Sequence, residues 1–141
     1  MTTCSQRGCR MAKVIVDSNF LFIPFQFRVD VFEQLNSLLG KCEPVVLSTT
    51  LNELESLTLR GSERIRRLAS AALELADRCR MAEAERELGE SSDDVILRMA
   101  QEWKCIVATN DSKLRRRLRG LGIPTVFLRQ MSRLDIEGYV P

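Results

Sequence analysis

The sequence contains no histidine among its 141 residues. This absence excludes every catalytic site that needs an imidazole: Ser-His-Asp and Cys-His nucleophilic sites, His general acid–base catalysis, and zinc sites with a His ligand. Hydrolytic chemistry in this chain would therefore depend on carboxylates, Cys, Lys, Tyr or a bound metal ion.

Long apolar runs are also absent. No stretch reaches the roughly 20 apolar residues of a membrane span, and the start MTTCSQRGCR lacks the apolar region of a signal peptide. We therefore expect a cytoplasmic protein that does not associate with membranes. A chain of 141 residues with 45% hydrophobic content suits one core. Residues 1–10 are predicted to be a disordered extension, and residues 11–141 to form a single domain.

The five cysteines include no CxxC pair, and their number is odd. Cys42, Cys79 and Cys105 lie inside apolar patterns, which is typical of small buried hydrophobes in a reducing compartment. The net charge of +2 gives, by itself, no argument for a nucleic-acid partner.

Four short apolar runs predict buried strands: VIV (14–16), PVVLS (44–48), CIVAT (105–109) and PTVFL (124–128). The segments between them have helical periodicity, and the longest, residues 62–88, is expected to end at Gly89. Strands that alternate with helices predict an α/β fold with a central, mostly parallel sheet covered on both faces.

Acidic residues recur at the carboxyl ends of these strands. Asp17 directly follows the first strand, Glu53 lies in the first turn of the helix after the second, and Asp111 follows the third. Asp93 and Asp94 stand at the start of the helix that leads into the third strand. Ligands of open parallel sheets bind at this edge, and carboxylates held close together repel unless a cation is present. An oxygen-only set suits Mg²⁺ or Mn²⁺ better than zinc.

Each acid also has a purely structural interpretation. Thr50 with Glu53 has the spacing of a helix capping box, and so does Ser91 with Asp94. Asp111, after the third strand, has a position typical of a turn residue or an N-cap. Asp17 is the hardest to explain in this way, because no helix is predicted to begin beside it.

Four segments, in chain order, resemble the acidic motifs of PIN-domain ribonucleases: VIVDSNFL, LNELESL, SSDDVILRMA and CIVATNDSKLRRRLRGLGIPTVFL. The resemblance extends from Met11 over nearly the whole chain. The DD pair and the VAT-x-D-x-x-L-R-R-R run are most similar to nucleases of archaeal and eukaryotic small-subunit ribosomal RNA processing, and VapC-type toxins are more distant. This resemblance implies a three-layer α/β/α PIN-like fold.

The resemblance further implies a Mg²⁺- or Mn²⁺-dependent endoribonuclease, in which the catalytic and metal-binding acids are Asp17, Glu53, Asp93 and Asp111. Asp94 is a further candidate metal ligand, and Glu55 is the alternative to Glu53 in the same helix. Ser18 and Asn19 match the polar residues that follow the family's first acid, and are candidates for substrate binding.

No acidic residue occurs from Ser112 to Leu134, whereas seven basic residues do: Lys113, Arg115, Arg116, Arg117, Arg119, Arg129 and Arg133. Charge of one sign beside Asp111 predicts contacts with RNA phosphates, and a solvated helix face is the alternative. The substrate-binding candidates in this stretch are Lys113, Arg115, Arg116 and Arg119. A second basic cluster, expected to face a partner because cations oppose the dipole at a helix start, comprises Arg60, Arg64, Arg66 and Arg67.

The segment FLFIPFQF (20–27) holds four of the six phenylalanines. Packing in the core is one interpretation, and an exposed dimer surface or base-stacking surface is the other. Pro24 predicts that part of the segment lies in a loop. The resemblance favours a homodimer.

Three functions stay open at this point. The first is a nuclease that processes ribosomal or precursor RNA, and the second is a VapC-type toxin that cleaves transfer or messenger RNA. The third is a PIN module that binds RNA or protein without catalysis. Single-stranded or structured RNA is the expected partner, with a ribosome-assembly or antitoxin protein as a further candidate.

Overall fold

The computed structural model describes residues 11–138. In this range one sheet is formed by β1 (Ala12–Val16), β2 (Cys42–Leu47), β3 (Arg80–Ala82), β4 (Ile106–Ala108), β5 (Thr125–Arg129) and β6 (Arg133–Glu137). The helices are α1 (Ser18–Phe27), α2 (Val31–Leu39), α3 (Ser48–Arg60), α4 (Glu63–Ala76), α5 (Ser92–Trp103) and α6 (Ser112–Gly120). The predicted extension over residues 1–10 lies outside the described residues.

The strand order is β3-β2-β1-β4-β5-β6. Strands β1 to β5 run parallel to one another, and β6 runs antiparallel to β5 at the edge. The chain builds outward from β1 through β2 to β3 and then crosses to β4, so the order reverses between β1 and β4. The carboxyl ends of these two strands are neighbours, since Val16 pairs with Ala108. This switch point is where an open α/β sheet binds ligands.

The sheet is covered on both faces, which confirms the predicted three-layer α/β/α fold. Val14 and Val16 pack with residues of α1 to α4, whereas Ile15 between them packs with residues of α5 and α6. Successive strand residues point to opposite faces, so the three-residue run VIV is buried throughout. None of the helices in the described range is long and apolar enough to cross a membrane.

The predicted helix over residues 62–88 is wrong beyond Ala76. Residues 80–82 form β3 instead, paired with Val45 to Leu47 of β2. The Ser48 hydroxyl then donates to the carbonyl of Ala84 and accepts from its N–H, both at 2.9 Å. Pairing with the sheet therefore overrides the helical periodicity of this segment. β6 is a second strand that the apolar runs did not predict.

The prediction that Pro24 places part of segment 20–27 in a loop is also wrong, because Pro24 lies inside α1. Proline removes one helical hydrogen bond and costs about 3 kcal/mol in a helix interior. Burial of Phe20, Leu21 and Ile23 on the sheet offsets this cost. Of the two interpretations of the segment, core packing holds for Phe20, whereas Phe25 remains exposed.

Candidate active site

Asp17 is buried at the switch point, although it also begins a helix. α1 starts at Ser18 with Asp17 as its N-cap, and the Ser18 N–H donates to Asp17 Oδ1 at 2.8 Å. The expectation that no helix begins beside Asp17 is therefore wrong. An N-cap needs only one side-chain oxygen and is usually exposed, whereas Asp17 is 4% exposed. Capping alone does not explain this burial.

The second oxygen of Asp17 is held by Thr109, a residue that sequence reasoning missed. The Thr109 hydroxyl donates to Asp17 Oδ2 at 2.8 Å and accepts from the Asp111 N–H at 3.1 Å. It also lies 3.2 Å from Asn19 Oδ1, which accepts from the Asn110 N–H at 2.9 Å. Thr109 is fully buried. One hydroxyl group thus joins the loop after β1 to the loop after β4.

The rim, which is the edge of the sheet at the carboxyl ends of β1, β2 and β4, carries acidic side chains that influence one another. Burial raises the pKa of Asp17 to about 6; the Thr109 hydrogen bond opposes this shift, and the negative charges of Asp93 and Glu53 add to it. Burial also raises the pKa of Asp93, with the charge of Asp111 as the next cause. Carboxylates perturb each other in this way only when they are near neighbours. The structure therefore brings Asp17, Glu53, Asp93 and Asp111 into one electrostatic neighbourhood.

Glu53 reaches this neighbourhood from α3 without the predicted capping box. The N-cap of α3 is Leu47, which makes no side-chain cap hydrogen bond. The hydroxyls of Thr49 and Thr50 are buried without a hydrogen-bond partner among the described residues. The capping interpretation of Thr50 and Glu53 is consequently wrong, and the Glu53 carboxylate is not used to cap its own helix.

Asp93 and Asp94 are adjacent in sequence but have different surroundings. The predicted capping box is confirmed: Asp94 N–H donates to Ser91 Oγ at 3.2 Å, and Ser91 N–H donates to Asp94 Oδ2 at 2.9 Å. The other oxygen, Asp94 Oδ1, accepts from Arg117 at 2.7 Å. Both Asp94 oxygens are thus in use, whereas the Asp93 side chain makes no hydrogen bond or ion pair within residues 11–138.

The connection from β3 to α5 fixes where α5 begins. Arg98 binds both carboxylate oxygens of Glu90, at 2.9 and 3.0 Å, and donates to the carbonyl of Glu85 at 2.7 Å. Such a bidentate pair is stronger and more directional than a single ion pair. Because Glu90 immediately precedes the N-cap Ser91, this anchor also sets the position of Asp93.

The acids do not form a ready-made ligand set. Within residues 11–138, no three acidic or cysteine side chains lie, as they stand, within reach of a single ion position. Asp111 is the N-cap of α6, and its Oδ1 accepts from the Lys113 N–H at 2.9 Å. The donor chemistry nevertheless fits a hard divalent cation, because the neighbours are all carboxylates. A cation would also offset the burial and the smaller charge repulsion that raise the pKa values of Asp17 and Asp93.

Two predicted substrate contacts follow Asp17 directly. Ser18 is buried in the first turn of α1, and its backbone N–H is used by Asp17. The Asn19 side chain binds the loop after β4. The structure therefore places both residues at the rim and gives Asn19 a role in joining its two loops.

Helix α6 carries the predicted basic surface, but several of its arginines are already paired. Arg115 lies 3.7 Å from the centre of the Phe127 ring and 3.4 Å from Glu137 Oε1, and Arg119 lies 3.7 Å from Glu137 Oε2. Lys113 and Arg116 are exposed and form no ion pair within residues 11–138. The positive charge open to a ligand is thus smaller than the sequence indicates.

Comparison with known proteins identifies the family of this chain. A family model for a PIN-like domain matches residues 14–131. The chain belongs to the PIN-like domain family. The matched range includes all four acids of the neighbourhood, and the predicted resemblance to PIN domains is confirmed.

Relatives of two kinds match this PIN-like chain at similar identity. Ribonuclease VapC9 of Archaeoglobus fulgidus is 30% identical over 93% of this chain and 93% of its own length. The rRNA-processing protein FCF1 of Saccharomyces cerevisiae is 31% identical over 79% of this chain, which spans 57% of that relative. The solved structure of the PIN domain endonuclease Utp24 has a TM-score of 0.75 at 31% identity, covering 91% of this chain and 92% of its own.

Proposed function

We propose that this PIN-like chain is a divalent-metal-dependent endoribonuclease that hydrolyses phosphodiester bonds of ribosomal or precursor RNA. The observation that carries the proposal is the buried Asp17 carboxylate, whose pKa is raised to about 6 at a sheet switch point beside other acids. Strongly perturbed carboxylates in such a place are typical of functional sites. The ribonuclease and endonuclease names of the relatives agree with this chemistry.

Asp17, Asp93 and Asp111 are the residues that would hold Mg²⁺ or Mn²⁺, with Glu53 as a direct ligand or one that acts through water. When bound, such an ion lowers the pKa of a water molecule and stabilises negative charge on the phosphate. Asp94 is left out of this ligand set because its charge is already paired with the Arg117 guanidinium, whereas Asp17, within the described range, accepts hydrogen bonds only from neutral donors.

The protein's own groups prepare this site. The Thr109 hydroxyl fixes one Asp17 oxygen and the Ser18 N–H fixes the other, so the carboxylate has a single orientation. Arg117 holds Asp94, and with it the first turn of α5 that carries Asp93. Lys113 and Arg116 are the basic residues of α6 best placed to contact phosphates. Arg115 and Arg119 contribute positive charge to the same face while they hold Glu137 of β6.

A VapC-type toxin is the second candidate function. The match to ribonuclease VapC9 extends over nearly the whole of both chains, whereas the match to FCF1 covers 57% of that protein. A small antitoxin reading frame next to the gene would favour the toxin. A homodimer, a ribosome-assembly or antitoxin partner, and a cytoplasmic location remain predictions in either case.

A cleavage assay tests the proposal. Labelled structured and single-stranded RNAs are incubated with Mn²⁺, with Mg²⁺, and with a chelator. We expect metal-dependent internal cuts by the parent protein and a rate lower by about a thousandfold in Asp17→Asn and Asp93→Asn. Glu53→Gln should lower the rate, and its matched control is Glu55→Gln, two residues along the same helix, which should not. If neither the parent nor either Asp variant cuts RNA while all three bind it, the chain is the non-catalytic module instead. Equal cutting by all three would show that these acids are not the catalytic groups.

A further inference from the structure

A groove of about 350 Å³ lies between the end of α1 and the first half of α4. It is lined by Phe25, Gln26, Arg64, Arg67, Leu68 and Ala71. Phe25 is 46% exposed, so an aromatic ring is open to solvent in this groove. The lining therefore combines one aromatic face, a short apolar floor and two guanidinium groups.

The groove is positively charged. Arg64 forms no ion pair within residues 11–138, and Arg67 has there only an exposed contact with Glu63 at 3.9 Å, with both side chains 78% exposed. Exposed pairs of this kind contribute little. Among the described residues, no acidic side chain lines the groove; an adjoining groove on α4, which shares Arg67 and Ala71 with it, is the one lined by Glu63 and Glu74.

The position of this charge on α4 also favours an anionic ligand. Arg64 and Arg67 lie in the first turns of the helix, which begins at Glu63. Cations near a helix N-terminus face its positive dipole end, which is unfavourable. A bound anion would relieve this repulsion, while the exposed Phe25 ring offers a flat apolar surface.

We propose that this groove is a second RNA subsite, in which one base stacks on Phe25 and the flanking phosphates contact Arg64 and Arg67. The inference rests on the proposed ribonuclease function. A single-stranded nucleic acid presents a π-face next to negative charge, which is the combination that the groove complements. A peptide with one acidic group would match only part of it.

The length of α1 gives an approximate separation between the subsite and Asp17. Phe25 follows Asp17 by eight residues along α1, and a rise of 1.5 Å per residue gives about 12 Å. Stacked nucleotides rise about 3.4 Å each, so the groove would hold a base about four nucleotides from the cleaved bond. Binding there would help to select which phosphate reaches the acids.

Fluorescence anisotropy with single-stranded RNA tests the subsite. The probes are about 16 nucleotides and about three nucleotides long, since the longer can cover both sites and the shorter cannot. Binding is measured in the Asp17→Asn background, so that no cleavage occurs. Phe25→Ala should weaken binding of the long RNA about 5- to 150-fold, the loss of one stacked base, and the parent protein should bind the short RNA much more weakly than the long one.

The arginines are tested by the salt dependence of the same affinity. Arg64→Gln with Arg67→Gln should lower the slope of log affinity against log salt by about two, because each phosphate contact contributes about one. Arg66→Gln is the matched control: it removes the same charge from the same helix but does not line the groove. It should leave affinity and slope close to the parent values.

Two further variants separate base stacking from a general apolar contact. Phe25→Trp should retain affinity for the long RNA, whereas Phe25→Leu should lose it as Phe25→Ala does, although leucine keeps an apolar side chain. Retained affinity in Phe25→Ala or Phe25→Leu would overturn the subsite. It would also be overturned if Phe25→Ala changed the sedimenting mass of the protein without changing RNA affinity, since that marks a contact between copies.

The proposed nuclease function and the proposed RNA subsite can be overturned independently. A parent protein that cleaves RNA while the groove variants bind and cut normally overturns the subsite alone. A parent protein that cuts no RNA with either metal, but binds it through Phe25, overturns the nuclease function and leaves the subsite standing.

Discussion

Asp17 and Asp94 stand at the same edge of the sheet in opposite environments. Asp17 is buried, and this burial, with smaller contributions from neighbouring acids, raises its pKa to about 6. Backbone hydrogen bonding at Ser91, followed by the hydrogen bond from Arg117, lowers the pKa of Asp94 to about 2. Burial disfavours the ionised form of Asp17, whereas hydrogen bonds from Ser91 and Arg117 stabilise the ionised form of Asp94.

The contrast shows that acidic residues at the same edge of the sheet differ in role: some are available to bind a cation, and others stabilise local structure. A carboxylate whose partners are all in the protein stabilises local structure, as Asp94 does for the start of α5. A buried carboxylate beside other acids has lost hydration without gaining a cation, so it is ready for one. Residue type alone does not distinguish the two.

The largest expected effect is the loss of RNA cleavage when Asp17 is replaced. Asp17→Asn should lower the rate of metal-dependent RNA cleavage by about a thousandfold, because metal-ion stabilisation of the transition state contributes several kcal/mol. Asp94→Asn should retain most of the activity. Initial rates under saturating Mn²⁺ measure both, and an equal loss in the two variants would erase the distinction between them.

The pH dependence of stability should sharpen the comparison. The folded pKa of Asp17 is above its ordinary value of 3.8, so its contribution to stability is fully present below that value and is lost as pH rises to about 6. Relative to Asp17→Asn, the metal-free parent should therefore lose up to about 3 kcal/mol of unfolding free energy across this window. Urea denaturation of both proteins at pH 4 and pH 7 measures it. A difference that does not depend on pH would contradict the raised pKa.

Removal of the hydroxyl that holds Asp17 should have a smaller effect. Thr109→Val has a similar shape but leaves the Asp111 N–H and one Asp17 oxygen without a partner, which should cost about 1–3 kcal/mol of stability. It should also weaken Mn²⁺ binding, whereas Thr109→Ser should restore both. Calorimetric titration with Mn²⁺ and thermal melts provide the readouts. A valine variant as stable as the parent and equally tight in Mn²⁺ binding would show that the hydroxyl does not hold Asp17.

The smallest effect on stability is expected when the ion pair between Arg117 and Asp94 is removed. Arg117→Gln should cost about 0.2–1 kcal/mol, the range of partly exposed ion pairs. A double-mutant cycle with Asp94→Asn should give a coupling energy of the same size. Chemical denaturation measures it, and a coupling energy of zero would mean that the 2.7 Å contact does not hold α5 and α6 together.

Much of this architecture could be predicted because its signals are local. The strands β1, β2, β4 and β5 are short apolar runs, and Asp17 and Asp111 follow two of these runs within three residues. β3 could not be predicted in this way, since its three residues become a strand only by pairing with β2. The interior proline of α1 likewise depends on burial of one helical face against the sheet.

The details of the rim depend on contacts between distant residues. The partners of Arg115 and Arg117 are Glu137 and Asp94, which lie outside the acid-free stretch that made α6 look uniformly basic. Thr109 had a usable signal, because it ends a buried run two residues before Asp111. Its bond to Asp17, 92 positions earlier in the chain, exists only once β1 and β4 are neighbours.

Anomalous diffraction from a crystal soaked in Mn²⁺ tests the proposed metal site most directly. The prediction is a peak about 2.1 Å from an Asp17 oxygen, with Asp93 and Asp111 turned toward it and Asp94 still bound to Arg117. A fully soaked crystal with no peak at this rim, or a peak held by Asp94 in place of Asp17, would contradict it.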